Sequence, residues 1–418
     1  MSFHHRSTSA DIVAIAASTA VALLLCRRVA QAYAQSREKE TLLDKLPRSL
    51  YSWRTSREYG FLQIWRDLSA TLHDFGLTSW EVDVIGHQRP PNRDHVFPNG
   101  YLYVTAFRNN DSKGTVGSIA DLSCISHFNS SSCVVRTRQG QDAMLRVMAI
   151  GEDGRESLRV WRKLATAPHA LISTNHVLPL LQEIHLEHIT FGVFPLVSQS
   201  MRCIYGMWAK NSVGDILNAL VQALEALAYI HDLGIAHRDA FKHNFLVQWF
   251  PESLKTGVVP VSAPRVFLID LETAIEFPAD CPPSERTCTG LPNISSLAGD
   301  PDVYAPPRIP EMATGEPYDP FKLDVWQLAT SFEDFDSTMP PVQEMLRCAA
   351  SLHPAERLTA DEALSRLRTF LEGTPPKSLL IPPVLHYGPH MPSSADIRAM
   401  CYPVGEAPVE TDELMEKA

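Results

Sequence analysis

The segment that decides the fold is Tyr229-Ile-His-Asp-Leu-Gly-Ile-Ala-His237-Arg238-Asp239-Ala-Phe-Lys-His-Asn244-Phe-Leu-Val. Apolar residues recur at helical spacing up to Ile230, and this helical pattern stops at Gly234. A second hydrophobic run begins after Asn244. Polar residues that begin with His237-Arg238-Asp239 lie between the two runs. The pattern predicts a helix and a strand joined by a polar loop, and such a loop keeps its side chains in fixed positions.

The spacing within this loop matches a known motif. Asn244 follows Asp239 by five residues, as in H-R-D-x-x-x-x-N, and by this motif the chain resembles the eukaryotic protein kinases. The resemblance implies that Asp239 is the catalytic base, which accepts the proton of the attacking hydroxyl. It also implies that Asn244 is a ligand of a magnesium ion that bridges the phosphates of ATP. A three-residue match is weak by itself, so the assignment depends on the motifs that follow.

Four later segments resemble kinase motifs in the expected order. The first, Asp270-Leu271-Glu272, follows the apolar run 266–269 and replaces D-F-G, which makes Asp270 the second predicted metal ligand. The others are Tyr304-Ala305-Pro306-Pro307 in place of A-P-E, Lys322-Leu-Asp324-Val-Trp326 in place of the D-x-W helix motif, and Pro354-Ala-Glu-Arg357-Leu-Thr near the end of the domain. Their order and spacing supply the context that a single motif lacks.

The resemblance implies an α+β, bilobal protein-kinase-like fold over residues 99–372. A small β-rich N-lobe is expected at 99–197 and a large helical C-lobe at 198–372, and the details resemble divergent kinase-like proteins of mushroom-forming fungi. Three flanking segments complete the predicted organisation: a hydrophobic N-terminal segment at 1–28, an extension and linker at 29–98, and a Pro-bearing acidic tail at 373–418.

The nucleotide lobe departs most from the kinase pattern. Residues 126–133, at the place of the glycine-rich phosphate loop, contain no glycine. The run Met144-Leu145-Arg146-Val147 places Arg146 where V-A-I-K has its phosphate-pairing lysine. Because a guanidinium is planar and larger than an ammonium group, this exchange is not conservative. Two interpretations follow: Arg146 faces the phosphates as a catalytic and nucleotide-binding residue, or it is an arginine on the strand surface.

The remaining nucleotide contacts are expected on a helix and a hinge. Glu156 lies in a candidate helix at 154–164 and is the acid closest to the position that pairs with Arg146; alternatively it is a solvated first-turn residue favoured by the helix dipole. Phe194 and Leu196 lie in the segment that resembles the adenine-binding hinge. Pro195 between them removes one backbone N-H and reduces the expected recognition of adenine.

Other residues of the helical lobe carry predicted supporting roles. Phe241 stands where many Ser/Thr kinases have a lysine, so the adjacent Lys242 is a candidate catalytic cation if the loop is shifted. The resemblance implies an architectural role for His237 and for Asp324, which would accept hydrogen bonds from the catalytic-loop backbone. Arg357 usually pairs with the Glu of A-P-E, and since Pro307 occupies that position, we expect Glu311 to replace it.

Arg238 next to the predicted base is typical of kinases whose activation segment is ordered by phosphorylation. The candidate phosphorylation sites in that segment are Thr287, Thr289, Ser295 and Ser296. Cys281 and Cys288 flank a Pro-rich stretch of it, and they are either free thiols, metal ligands or a disulfide.

Composition limits the function classes. The 418 residues are 45% hydrophobic and 20% charged, with a net charge of -11, which excludes nucleic-acid binding as the main activity because phosphate neutralisation needs a basic surface. Residues 12–26 are apolar and precede Arg27-Arg28, and they span about 22 Å as a helix, short of the roughly 30 Å of a bilayer core. Four interpretations of these residues are open: a membrane anchor that keeps the kinase domain in the cytosol, a mitochondrial presequence, a cleaved signal peptide or an ordinary helix.

Two functional hypotheses follow. One is a divergent Ser/Thr-type protein kinase that uses ATP and Mg²⁺ to phosphorylate a protein substrate, with an activity that the glycine-free loop and the Lys-to-Arg change would reduce. The other is a pseudokinase that acts as a scaffold or binding module for a partner protein. A small-molecule phosphotransferase of the aminoglycoside-kinase type is disfavoured by Pro306, Asp324 and Arg357, which belong to the protein-kinase pattern.

Overall fold

The structure, a computed structural model, describes residues 21, 24–29, 42–55, 59–82, 87–89, 125–126, 130–197, 199–205, 212–248, 264–292 and 309–386. Several predicted features lie outside these residues. They are the β-like run Tyr101-Leu-Tyr-Val-Thr, whose sequence predicts a strand of the N-lobe, the centre of the glycine-free loop at 127–129, Ser295, Ser296, the A-P-E counterpart at 304–307 and the acidic tail beyond residue 386. Of the apolar segment 12–26, the structure describes residue 21 and residues 24–26, where Val21, Leu24 and Leu25 are exposed helical residues.

The described chain contains both helices and strands. The helices are α1 Leu50–Thr55, α2 Tyr59–Asp74, α3 Arg155–Ala165, α4 Val213–Asp232, α5 Pro310–Ala313, α6 Pro320–Thr330, α7 Pro340–Ala349 and α8 Ala360–Glu372. The strands are β1 Leu77–Ser79, β2 Glu81–Val82, β3 His87–Arg89, β4 Ile125–Ser126, β5 Ser132–Thr137, β6 Asp142–Ile150, β7 Gln182–Leu186, β8 Ile189–Pro195, β9 Gln199–Ser200, β10 Ile235–Ala236, β11 Phe245–Gln248, β12 Arg265–Leu268, β13 Ile275–Glu276, β14 Cys288–Thr289, β15 Pro317–Tyr318, β16 Phe335–Asp336 and β17 Val384–Leu385.

A five-stranded antiparallel sheet in the order β1-β5-β6-β8-β7 forms the N-terminal part. Strand β6 lies in its centre, and the register sets Arg146 opposite Gly192 of β8. Side chains alternate across the pleat, so residues of β6 face opposite sides of the sheet. The following helix α3 buries Leu158, Trp161 and Leu164 at helical spacing, and these residues belong to the core shared with the C-terminal helices.

Helices α1 and α2 of the N-terminal extension cover the other face of this sheet. Both helices contribute tryptophans, since Trp53 and Trp65 are fully buried with ring centroids 5.4 Å apart, and Phe191 of β8 packs against Trp53. The same cluster contains Leu145 and Val147 of β6. The extension is therefore part of the sheet's hydrophobic core.

The C-terminal part is built around α4, which is buried along most of its length. Its first turn carries a capping box, in which Ser212 accepts from the backbone of Asp215 and the Asp215 side chain accepts from the backbone of Ser212. Helix α8 begins with a second capping box formed by Thr359 and Glu362. Among the described residues, α4 is the one helix long and apolar enough to cross a membrane, and its burial identifies it as a core helix.

Short strand pairs support the loops between these helices. Strands β9, β11 and β12 form a three-stranded sheet, and β10 pairs with β13. The curled sheet and the several helices make a mixed α/β architecture that agrees with the predicted α+β class. The division into two kinase-like lobes and the boundaries at residues 99, 198 and 373 stay predictions.

Candidate active site

Helix α6 holds the backbone of the loop that follows β10. Asp324, with a fully buried side chain, accepts hydrogen bonds from the backbone N-H of His237 at 2.7 Å and of Arg238 at 2.6 Å. Three residues further along α6, Gln327 accepts from the Ala240 N-H at 2.8 Å and donates to the Arg238 carbonyl at 3.0 Å. The contacts of Asp324 are those expected from the sequence. Gln327 adds two hydrogen bonds to those of Asp324, and it carried no predicted role. The contacts of Asp324 and Gln327 with the loop backbone are called the clamp below.

The clamp holds an uncommon backbone conformation. Arg238 has φ 67°, in the left-handed region that costs a side-chain-bearing residue about 1 kcal/mol or more. His237 adds a link to the neighbouring strand, because its Nδ1 accepts from the Asp239 N-H at 3.2 Å and its Nε2 lies 2.8 Å from the Ile269 carbonyl. Since Nδ1 accepts, Nε2 carries the proton and donates to that carbonyl. His237 therefore connects the backbone of Asp239 to the end of β12.

Asn244 fixes one side of the Asp239 carboxylate. Its Nδ2 donates to the Asp239 carbonyl and to Asp239 Oδ2, both at 2.8 Å. The second oxygen, Asp239 Oδ1, is buried and has no hydrogen-bond partner among the residues that the structure describes. Buried polar atoms are almost always paired with protein or with water, so this oxygen is available to water or to a hydroxyl of a bound molecule. Asp239 has the geometry of a proton acceptor.

Asp270 lies at the same end of the β11–β12 ladder as Asn244. Phe245 is opposite Leu268 in this ladder, so the residue before β11 and the residues after β12 lie at the same edge. Asp270 has φ 64°. Its pKa is lowered, because the positive charges of Arg146 and Arg54 outweigh burial, which acts in the opposite direction. An ionised carboxylate and an amide oxygen are the hard oxygen ligands that Mg²⁺ takes, so Asp270 and Asn244 fit the predicted ion.

The guanidinium of Arg146 reaches these acidic groups from the sheet. Its Nη2 lies 2.9 Å from Asp270 Oδ1 and also contacts Glu272 Oε1. The side chain is 17% exposed, so Arg146 faces the interior, and the interpretation as a surface arginine is wrong. Glu272 occupies the place of the D-F-G glycine and had no predicted partner. It is the second acid, after Asp270, that pairs with Arg146.

The structure corrects the prediction for Glu156. This residue lies in the first turn of α3, with a side chain that is 87% exposed and paired with Arg159 at 2.9 Å. It does not meet Arg146, because α3 begins at Arg155 and the first turn points to solvent. The alternative interpretation, a solvated acid at the helix N-terminus, describes its position.

The structure also corrects the prediction for Lys242. Its Nζ lies 2.7 Å from both oxygens of Asp334 and 3.0 Å from the Tyr205 hydroxyl. The ammonium also lies over the Phe332 ring, 5.0 Å from its centroid. A buried cation with a paired carboxylate is costly to displace, so Lys242 stabilises the fold instead of reaching the candidate site.

The hinge candidates Phe194 and Leu196 are buried at the end of β8 and beyond it. The Phe194 ring packs on Trp161, with centroids 4.8 Å apart, and both hinge side chains belong to the main core. Pro195 lies opposite Ala143 in the sheet. Only the backbone groups at these positions remain for contact with a nucleotide base.

Three supporting predictions concern residues that follow Asp270 in the chain. Arg357 is fully buried and donates to Glu311 from Nη1 at 2.9 Å and from Nη2 at 3.2 Å, which confirms the predicted pair. The phosphorylation candidates Thr287 and Thr289 are exposed next to or in β14, which pairs with β15. Cys281 and Cys288 are free thiols, and no cluster of three or more His, Cys, Asp or Glu residues suited to a metal occurs in the described part of the chain.

Comparison with known proteins finds a kinase that is similar to part of this chain. No protein-family model matches the chain. A stretch of 109 residues is 36% identical to the Serine/threonine-protein kinase ppk8 of Schizosaccharomyces pombe, and it covers 26% of this chain and 17% of the relative. The similarity indicates a kinase-like relationship at a coarse level. The closer resemblance to kinase-like proteins of mushroom-forming fungi stays a prediction.

Proposed function

We propose that this protein is a divergent Ser/Thr-type protein kinase with a bilobal kinase fold, which transfers a phosphoryl group from ATP to hydroxyls of a protein substrate. One observation carries the proposal. Asp239 is held at one carboxylate oxygen by Asn244, and the other oxygen is buried without a partner among the described residues. This is the arrangement that a hydroxyl substrate needs in order to give up its proton.

Each proposed role follows from the position of a side chain. Asp239 accepts the proton of the attacking hydroxyl at Oδ1. Asn244 and Asp270 would hold magnesium, which would supply positive charge to offset the negative charge of the phosphates. The clamp from Asp324 keeps Asp239 aligned, since Asp324 holds the two residues that precede it. Orientation of this kind lowers the barrier without new bonds.

Arg146 is the proposed phosphate-binding cation. Its ion pair with Asp270, itself a proposed metal ligand, holds its guanidinium beside the proposed metal site, and Glu272 is its second carboxylate partner. Binding of the phosphates requires Arg146 to exchange part of this ion pairing for contacts with phosphate oxygens. A guanidinium has donors for both, because it carries five N-H groups in a planar fork.

A pseudokinase that serves as a binding module is the second candidate function. Two hydrogen bonds favour it, because they attach Ser130 of the glycine-free loop to the N-terminal helices. Trp65 Nε1 donates to the Ser130 carbonyl at 3.1 Å, and the Ser130 hydroxyl donates to the Trp53 carbonyl. A loop attached in this way is less able to close over phosphates. In both cases a protein is the proposed partner, and residues 12–26 stay the candidate membrane or mitochondrial targeting segment.

Phosphoryl transfer by the full-length chain tests the proposal. Wild type and Asp239→Asn are incubated with Mg²⁺ and ATP labelled at the γ-phosphate, with a mixture of Ser/Thr-containing peptides as acceptors. The kinase proposal predicts transfer by wild type and a loss of about a hundredfold or more in Asp239→Asn, because a general base contributes that much. Asp361→Asn, an exposed matched change on α8, should keep full activity. Equal transfer by wild type and Asp239→Asn contradicts the proposal, and absence of transfer from wild type favours the pseudokinase.

A further inference from the structure

The N-terminal extension places a second arginine at the candidate site. Helix α1 is fixed on the sheet by buried Leu50 and Trp53, and the Leu50 N-H donates to Asp153 Oδ2 at 2.9 Å. These contacts come from both ends of a six-residue helix, so its last turn has a defined position. Arg54 lies in that last turn.

Arg54 forms an ion pair with the acid that replaces the D-F-G glycine. Its Nη1 lies 3.1 Å from Glu272 Oε2, with the two side chains 27% and 19% exposed. The other carboxylate oxygen, Glu272 Oε1, contacts Arg146. Glu272 is therefore held between a cation from the extension and a cation from β6.

Charge balance explains why the second cation matters. Among the described pairs, Asp270 and Glu272 bring two negative charges to a place where Arg146 supplies one positive charge, and Arg54 adds a second positive charge. The phosphates of a nucleotide carry several negative charges, and an uncompensated carboxylate beside them repels them. Partly buried charges interact more strongly than exposed ones, so this repulsion is weakly screened by salt.

We propose that Arg54 is a positioning residue of the nucleotide site, which neutralises Glu272 and so frees Arg146 to contact the phosphates of ATP. The inference rests on the proposed ATP-binding function and gives the N-terminal extension a part in it. Arg54 takes the role of a fixed counter-charge and does not itself contact the nucleotide. The extension thereby compensates for the acid that stands at the glycine position.

The test is Mg-ATP affinity of the full-length chain, measured by titration calorimetry. Arg54→Gln should weaken binding about tenfold, in the range of typical coupling between two linked sites. Arg54→Lys should recover most of the affinity because it restores the charge. The double variant Arg54→Gln/Glu272→Gln should bind within about threefold of wild type, since the acid that needs neutralising is gone. Arg48→Gln, on an exposed arginine of the same extension, is the matched control and should bind as wild type.

The outcomes separate this inference from the proposed function. Absence of Mg-ATP binding by wild type overturns both. Wild-type binding that Arg54→Gln leaves unchanged overturns the role of Arg54 alone, as does a double variant that binds as weakly as Arg54→Gln. If Arg54→Gln does not fold, Glu272→Gln by itself still decides: the inference predicts binding at least as tight as wild type, and a weaker affinity contradicts it.

Discussion

Removal of Glu311 should destabilise the protein through a buried arginine on a different segment. Arg357 has a fully buried side chain and donates three hydrogen bonds, two to Glu311 and one from Nε to the Ser351 carbonyl at 3.0 Å. In Glu311→Ala the guanidinium keeps its charge and loses its counter-ion. A buried charge without a partner is one of the few causes of a large stability loss.

The size of the effect follows from burial. Breaking a buried ion pair by removing one partner costs about 3 to 5 kcal/mol. Glu311 is 14% exposed, so water reaches part of the site and the lower end of that range, about 3 kcal/mol, is expected. For a chain of this length the unfolding temperature should fall by roughly 6 °C, at about 2 °C per kcal/mol. Replacing both members, with Arg357→Met and Glu311→Leu, should recover much of the loss because no buried charge remains.

Urea unfolding followed by circular dichroism, together with calorimetric melting, measures these differences. Glu316→Ala is the matched control, since Glu316 is exposed in the turn after the same short helix α5. It should change the free energy of unfolding by less than about 0.5 kcal/mol. A loss below about 1 kcal/mol in Glu311→Ala, or a double variant less stable than the single one, would refute the reasoning.

Three further substitutions test other parts of the structure. Trp53→Ala should cost about 3 to 5 kcal/mol in urea unfolding because it opens a cavity between the extension and the sheet, and a loss below 1 kcal/mol would contradict that packing. Asp270→Asn should lower the melting temperature at pH 7, and the difference from wild type should vanish as the pH falls. The pKa of Asp270 is lowered in the folded state, so its contribution is present above the unfolded value of about 3.9 and is lost below it; a constant difference down to pH 3 would contradict the pairing with Arg146. Lys242→Met should reduce stability by about 2 kcal/mol through loss of the Asp334 pair yet retain phosphoryl transfer, and loss of transfer in a folded variant would restore the catalytic assignment.

Contacts set by local motifs could be predicted from the sequence. The loop from His237 to Asn244 depends on spacing within a few residues, and the structure brings its members together as that spacing requires. The contacts of Asp324 and the Arg357–Glu311 pair are long-range, but each follows from the resemblance to kinase motifs. The roles of these residues in catalysis stay predictions.

Contacts that depend on helix phase or on distant segments could not be predicted. Glu156 lies in the first turn of α3 on the solvent-facing side of the helix, and hydrophobic spacing does not fix a helix start or its phase to within one residue. The position of Lys242 was set by Asp334, which lies far along the chain and carried no motif. Arg54 meets Glu272 only because α1 docks on the sheet, and neither residue carries a periodic signal.

Thermal unfolding of the full-length protein with and without Mg-ATP tests most directly whether Arg146, Asn244 and Asp270 form a nucleotide site. At about one hundred times the dissociation constant, a ligand adds roughly 2.7 kcal/mol to stability. The account predicts a rise in melting temperature of roughly 5 °C that disappears when EDTA removes the magnesium. An unchanged melting temperature up to millimolar Mg-ATP would contradict the account and leave the pseudokinase as the function to pursue.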